Sequence, residues 1–463
     1  MAFARFGGML TLLPAKPFFI TRKQVTPMIS MTSMTSMLPM LPMSPLRRML
    51  MALVASAAVF HAAGMAQTAA PAQTLTVAAF PALDQIIKAA LPAFKKLHPE
   101  VEVKVIGREY ADHHNAMTLA LATGSNQADV MALELGYLGR FAEGGALEDL
   151  ARPPYNARQL AGRFVAFALA PANSSRQELV ALPTDIGPGT LFYRQDLLKK
   201  AGVAEADWTK SWESYIEGGK KIKAATGSYL LAHARDLNDI MIRSNLKPGE
   251  GIYFDKANKV LVDSPRFVNA FKLAKAVREA KLDAKINAWT NEWTESFKRG
   301  TVATQMMGAW LDGHLANNFA LASKGLWRAA DLPGGAFASW GGSYYAIPKK
   351  AKNKAMAWEL IQFLTLSRGN QLAAFKAQDA FPALLDAQND AFFEQGVDYF
   401  GQQKVRLLWR AAAQHIPPID VNKYDPIAGE IVNHELDKVL DQGKDIQAAL
   451  QDAKHLIEKR AQR

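Results

Sequence analysis

Three aromatic residues, three carboxylates and a glycine pair carry the possible chemistry of this chain. Trp310 and Asp312 stand just past the strand-like run TVATQMMGAW (301–310). Glu134 and Tyr137 lie in the turn LELGY (133–137), Asp185 lies between Pro183 and Gly189, and Trp340 precedes Gly341-Gly342. Aromatic faces stack on flat C–H surfaces, and carboxylates accept hydroxyl hydrogens at fixed angles. Such a set could bind a polyhydroxylated molecule. Two carboxylates a fixed distance apart across a cleft would instead cleave a glycosidic bond, with Asp185 and Asp312 the imaginable pair. Plainer readings stand beside these: Trp310 as core, Glu134 as a solvated loop charge, Asp185 as a turn cap, and Gly341-Gly342 as a simple turn.

Other groups read more simply. His113 and His114 are adjacent on a helical run and diverge, so they do not share an ion without a third ligand. There is no HExxH, Walker loop, GxSxG elbow or dinucleotide fingerprint. Cysteine is absent, which excludes disulfides, thiolate metal sites and cysteine nucleophiles. No cofactor is expected. Trp289 and Trp293 are spaced i, i+4 about a helix start and read as core packing. Trp208 and Trp212 read as structural.

The elements that would position these groups alternate. TLTVAA (74–79) reads as a buried strand and 84–97 as an amphipathic helix stopped by His98-Pro99. VEVKV alternates at Val101, Val103 and Val105. A helix at about 111–122 ends at Gly124, DVMAL (129–133) is a third strand, and a helix follows at about 136–143. This β-α-β-α-β order predicts a parallel sheet covered by helices, with ligands beyond the carboxyl ends of its strands. Those ends are Phe80, the turn GREY (107–110) and the turn at 133–137. Farther on, residues 178–203 show two short strands around a Pro- and Gly-rich loop, which suits a hinge. Ser264-Pro265 starts a helix, and Ala357, Leu360, Ile361 and Leu364 mark one face of another.

The first 66 residues differ in kind. They hold six basic residues and no acid; the first acid is Asp84. Arg47-Arg48 precedes the apolar run Met49–Phe60, and HAAGMAQ offers a small-residue cleavage site after Ala66, or after Ala63. This predicts a signal peptide, preceded by an over-long extension across about 1–42. Removing these six from the 54 Lys and Arg leaves 48 against 43 acids, a net +5 rather than +11. No basic block with interleaved aromatics remains, so nucleic acid is not an expected partner. With no cysteine after the apolar run, there is no lipid-anchor site, and periplasmic residence is expected.

Five segments together resemble the family-1 extracellular solute-binding proteins of ABC importers, the sugar-binding branch that includes maltose-binding proteins. They are AFKKLHPEVEVKV, GSNQADVMALELGYLGRFAEGGALEDL, ALPTDIGPGTLFYRQDLLKKAGV, FKRGTVATQMMGAW and GGSYYAIPKKAKNKAMAWELIQFL, in family order over about 74–378. The resemblance implies an α/β fold of two lobes joined by crossing hinge strands, with a ligand cleft between. Lobe 1 is expected at 74–183 plus 345–380, lobe 2 at 188–340 plus 382–463, and hinges near 184–188, 340–344 and 379–382. It implies a sugar or oligosaccharide ligand and delivery by a monomer to a permease with a separate ATPase. It places Trp310, Trp340, Gly341, Gly342, Glu134, Tyr137, Asp185 and Asp312 at the ligand. The alternatives are a receptor for ferric iron, a polyamine or a phosphodiester, or an exported glycoside hydrolase. Ferric-binding relatives use neighbouring tyrosines, but Tyr344-Tyr345 lies in a strand, where successive side chains face opposite ways.

Overall fold

The computed structural model describes residues 73–461. The expected signal segment, 1–66, lies outside them. The N-terminal half is built as its periodicity requires. Strands β1 (Gln73–Ala79), β2 (Val101–Gly107) and β3 (Val130–Glu134) alternate with helices α1 (Leu83–Leu97), α2 (Tyr110–Thr123) and α3 (Leu135–Glu143). β1 pairs in parallel with both β2 and β3. Asp129 clamps this corner. One carboxylate oxygen accepts from the Thr76 amide and hydroxyl, the other from the Lys352 and Asn353 amides.

Residues 182–194 differ from the expected pair of short strands. They form one strand, β4 (Leu182–Arg194), which then leads into α4 (Gln195–Lys200). Its prolines do not break it because they fall where the ladder is already irregular. Register shifts separate Pro183 from Asp185 and Ile186 from Pro188. The following region adds helices α5 (Trp212–Thr226), α6 (Ala234–Ile242), α7 (Pro265–Glu279) and α8 (Asn291–Arg299), then strands β5 (Thr304–Gly308), β6 (Trp327–Ala330) and β7 (Ser339–Ala346). α9 (Lys354–Leu366), α10 (Arg368–Gln378), α11 (Val405–His415), α12 (Asp425–Gln442) and α13 (Ile446–Ala461) complete the chain, one-turn pieces aside.

The strand order is β2-β1-β3-β7-β4-β5, with β6 also on β4. β4 therefore serves two sheets. Its first half pairs antiparallel with β7, and its second half with β5 and β6. Phe192 packs into the core that holds β1–β3, while Leu191 and Tyr193 face a second core with α5–α7. That is the alternation of a strand between two layers. A third segment joins the crossing: Ile186 N–H donates to Phe381 O and Ala383 N–H to Thr184 O. Among the described residues, no helix is long and apolar enough to cross a membrane.

Asp129→Ala should leave three backbone amides and a hydroxyl without their acceptor. Bonds to a charged group contribute about 1.5–3 kcal/mol each, and the loss is partly recovered by water. Chemical denaturation should show a destabilisation of about 3 kcal/mol; a change under 1 kcal/mol would show that the clamp is not structural.

Candidate functional site

Gly341 and Gly342 sit on β7 at the crossing with φ of +79° and +136°, which a residue with a side chain rarely adopts. A β-carbon on Gly341 would lie 3.2 Å from Trp310 Nε1 and 3.5 Å from Glu134 Oε1. The bare backbone is thus where an indole edge and a carboxylate converge. Trp310 is held there by its Nε1–H, which donates to Trp340 O at 2.8 Å. Gly187 and Gly308 give it room, since a β-carbon on either would fall within 3 Å of Trp310 Nε1.

Glu134 ends β3 and caps α3, accepting from Gly136 N–H at 2.7 Å. Tyr110 O–H donates to the same oxygen at 2.7 Å. His114 is buried behind them. Its Nδ1 lies 2.7 Å from Tyr110 O, and its Nε2 accepts from Glu134 N–H at 3.2 Å. That pattern is satisfied by the neutral ring protonated at Nδ1. Burial lowers the ring's pKa to about 4, which keeps it neutral. Tyr137 stacks on this imidazole at 4.1 Å and 10°.

A cavity of about 400 Å³ opens in front of Glu134. Tyr110 and Glu134–Gly136 line one side, Ser339–Gly341 the floor, and Asp239, Arg243, Tyr253 and Asp425 the other side. The Arg243 guanidinium lies 4.7 Å from the centre of the Trp340 ring, a cation–π contact. Acids outnumber bases here. Burial pushes Glu134 up, against the bonds from Tyr110 and Gly136 and the charge of Arg243. Burial also raises Asp239, opposed by Arg243, and pushes Asp425 up to about 7. A carboxyl that titrates near neutrality can both donate and accept, which suits hydroxyl partners. A larger groove of about 790 Å³ lies at the far end of α3, with none of the expected site residues on its walls.

Glu134, Trp340 and Gly341 line the cavity. Trp310 and Gly342 adjoin it through Gly341, and Tyr137 lies behind Glu134. Asp185 is at the crossing, paired with Ser343, its carboxyl pushed up to about 7 by burial and by nearby Glu134. Asp312 is buried and has Asp379 and Arg406 as charged neighbours. Tyr344 and Tyr345 are both buried, and Tyr344 O–H donates to Ala168 O.

The expected core pair Trp289 and Trp293 is split. Trp293 is buried, but Trp289 is 56% exposed. α8 begins only at Asn291, so helical spacing does not govern Trp289. Its backbone is left-handed, with φ +67°, and its ring lies over Trp310 at 6.0 Å and 20°. Arg243, Asp239 and Asp425 were also not foreseen. They come from the end of α6 and the start of α12, and no local pattern joins them. Tyr110 lies in the strand-end turn at 107–110, where the topology rule could have found it.

A sequence profile described as bacterial extracellular solute-binding protein matches residues 89–401. The arabinooligosaccharide-binding protein of Bacillus subtilis is 25% identical over 293 residues, covering 60% of this chain and 65% of that protein's length. The lactose-binding protein of Rhizobium radiobacter is 25% identical over 397 residues, 81% of this chain and 90% of that one. A solved family-1 extracellular solute-binding protein superposes with a TM-score of 0.74 at 26% identity, covering 84% of this chain and 99% of that one.

Asp185→Asn tests the electrostatics. A folded-state pKa raised to about 7 from 3.8 means that the native state holds the proton more tightly. That contribution is fully present below pH 4 and is lost as pH rises through 7. Denaturation midpoints from pH 4 to 8 should therefore fall less steeply in Asp185→Asn than in the wild type. Parallel slopes would show that Asp185 titrates normally.

Proposed function

Because the chain belongs to the bacterial extracellular solute-binding protein family, we propose that it is the periplasmic receptor of an ABC importer. In this reading it binds a sugar or oligosaccharide in the cleft between Glu134 and Trp340 and hands it to a membrane permease. The observation that carries this is the convergence at Gly341. Trp310, Glu134 and a bare backbone meet at one point on the crossing strand, so one ligand could stack and hydrogen-bond there at once. The names of the arabinooligosaccharide- and lactose-binding relatives support a saccharide.

The proposed lobes are 74–183 plus 345–380, and 188–340 plus 382–463. A ligand touching both favours the closed arrangement by its differential affinity, which shifts the population. The permease then reads the closed shape. The receptor is a monomer, cleaved after Ala66 or Ala63 and not lipid-anchored, and the ATPase is a separate chain. It binds without turnover, in keeping with the binding-protein names of its relatives.

A thermal-shift screen of the mature protein against saccharides should find a stabilising ligand by mass action. With that sugar, Trp340→Ala and Trp310→Ala should each lose about 1–3 kcal/mol of binding, roughly 5- to 150-fold in affinity. Small-angle scattering should show a smaller radius of gyration on binding, and the sugar should be recovered intact. Steady cleavage by pure protein would replace the receptor with a hydrolase. Binding without compaction would remove the closing lobes.

A further inference from the structure

The two proposed lobes come into tight contact where Gly139 meets Asn422. Gly139, midway along α3, is buried. A β-carbon there would meet Asn422 C and O at 2.7 Å and Asn422 N at 3.0 Å, and these are its three nearest atoms. The collision is with backbone, so no side-chain rotation relieves it.

Asn422 has little freedom to retreat. Its N–H donates to Asp425 Oδ2 at 2.7 Å, its Oδ1 accepts from Tyr424 N–H at 3.0 Å, and its Nδ2–H donates to Asn258 Oδ1 at 2.8 Å. Its carbonyl accepts from Asp425 N–H at 3.1 Å. All its polar groups are engaged, and the loop just before α12 is a braced stop.

The stop divides the space between the lobes. The cavity of about 400 Å³ lies at the N-terminal end of α3, by Leu135 and Gly136. The groove of about 790 Å³ lies at the other end, by Glu143, and Val421 borders both. Ligand pockets span roughly 300–1,000 Å³, so the inner chamber is at the small end. We infer that Gly139 is a specificity-determining residue: the contact of its bare backbone with Asn422 sets how far the lobes close and so selects a short saccharide over a long one. This rests on the receptor reading. A methyl group at 139 would hold the lobes apart and join the chamber to the outer groove. Short ligands would then fail to span the gap, while longer ones would keep contacts on both sides.

Gly139→Ala tests this against malto-, arabino- and galacto-oligosaccharides from disaccharide to hexasaccharide, with affinities measured calorimetrically. Wild type should favour the short members. Gly139→Ala should lose roughly tenfold or more on these and less on the long ones. Its ligand-free melting temperature should equal or exceed that of the wild type, because alanine favours a helix over glycine. Asn258→Ala, which frees the Asn422 loop, should restore part of the short-sugar affinity in the Gly139→Ala background. Gly162→Ala, whose added carbon meets nothing within 4 Å, is the control. An unchanged ratio of short to long affinities overturns the inference. So does a Gly139→Ala protein that melts lower or does not fold, since glycine there would then serve packing. If wild type binds no saccharide, the receptor reading itself falls.

Discussion

Everything at this site depends on β4 and β7 staying paired while β4 passes from one sheet to another. β4 changes partners from β7 to β5 and β6 along its length, and its ladder has to accommodate the change. The irregularities between Pro183 and Asp185 and between Ile186 and Pro188 absorb the change. Proline supplies no N–H, and glycine tolerates left-handed backbone, so both cost least where the pairing already breaks. The segment around Phe381 adds backbone bonds to the same stretch. Such a crossing fixes the position of the site and suits the hinge of the proposed receptor. The glycines that satisfy the backbone also leave a bare surface that the proposed ligand would approach.

Burial tunes the chemistry at that surface. Asp185, Asp425, Asp239 and Glu134 all have raised carboxyl pKa values, with desolvation the largest cause in each. Removing a carboxylate from water costs more than its partners here return, so each carboxyl holds its proton more tightly than it would in water. Arg243 is the counter-charge shared by Glu134, Asp239 and Asp425 and opposes the rise in each. Such groups would be poor partners for a cation bound at fixed charge. They suit hydroxyls, which offer a donor and an acceptor together.

How much of this was legible in the sequence depended on range. β1 through α3 were read within a residue or two, because each is a local period bounded by a stop at Pro99, Gly124 or the turn at 133–137. β4 was read as two strands, since proline and glycine signal a loop unless a tertiary crossing gives them another use. At the site, Glu134, Trp340 and Gly341 lie at strand ends or next to a glycine pair, which are local signals. Arg243 and Asp425 are 182 residues apart and meet only through packing. For Trp289 the i, i+4 spacing to Trp293 misleads, because the helix begins two residues after it, at Asn291.

Glycine has two opposite uses in this fold, and the difference has an energetic signature. At Gly341 and Gly342 the backbone is left-handed, so any side chain is strained whether or not a ligand is bound. At Gly139 the backbone is helical, and the residue weakens its own helix by about 1 kcal/mol relative to alanine. A helix interior gives no local reason to keep that cost. The three nearest atoms a methyl group would meet belong to a loop some 280 residues away, so that contact, rather than α3, is where compensation for glycine at 139 is to be sought. In the proposed two-lobed receptor, stability of α3 and closeness of the lobes' approach are thus set against each other at position 139.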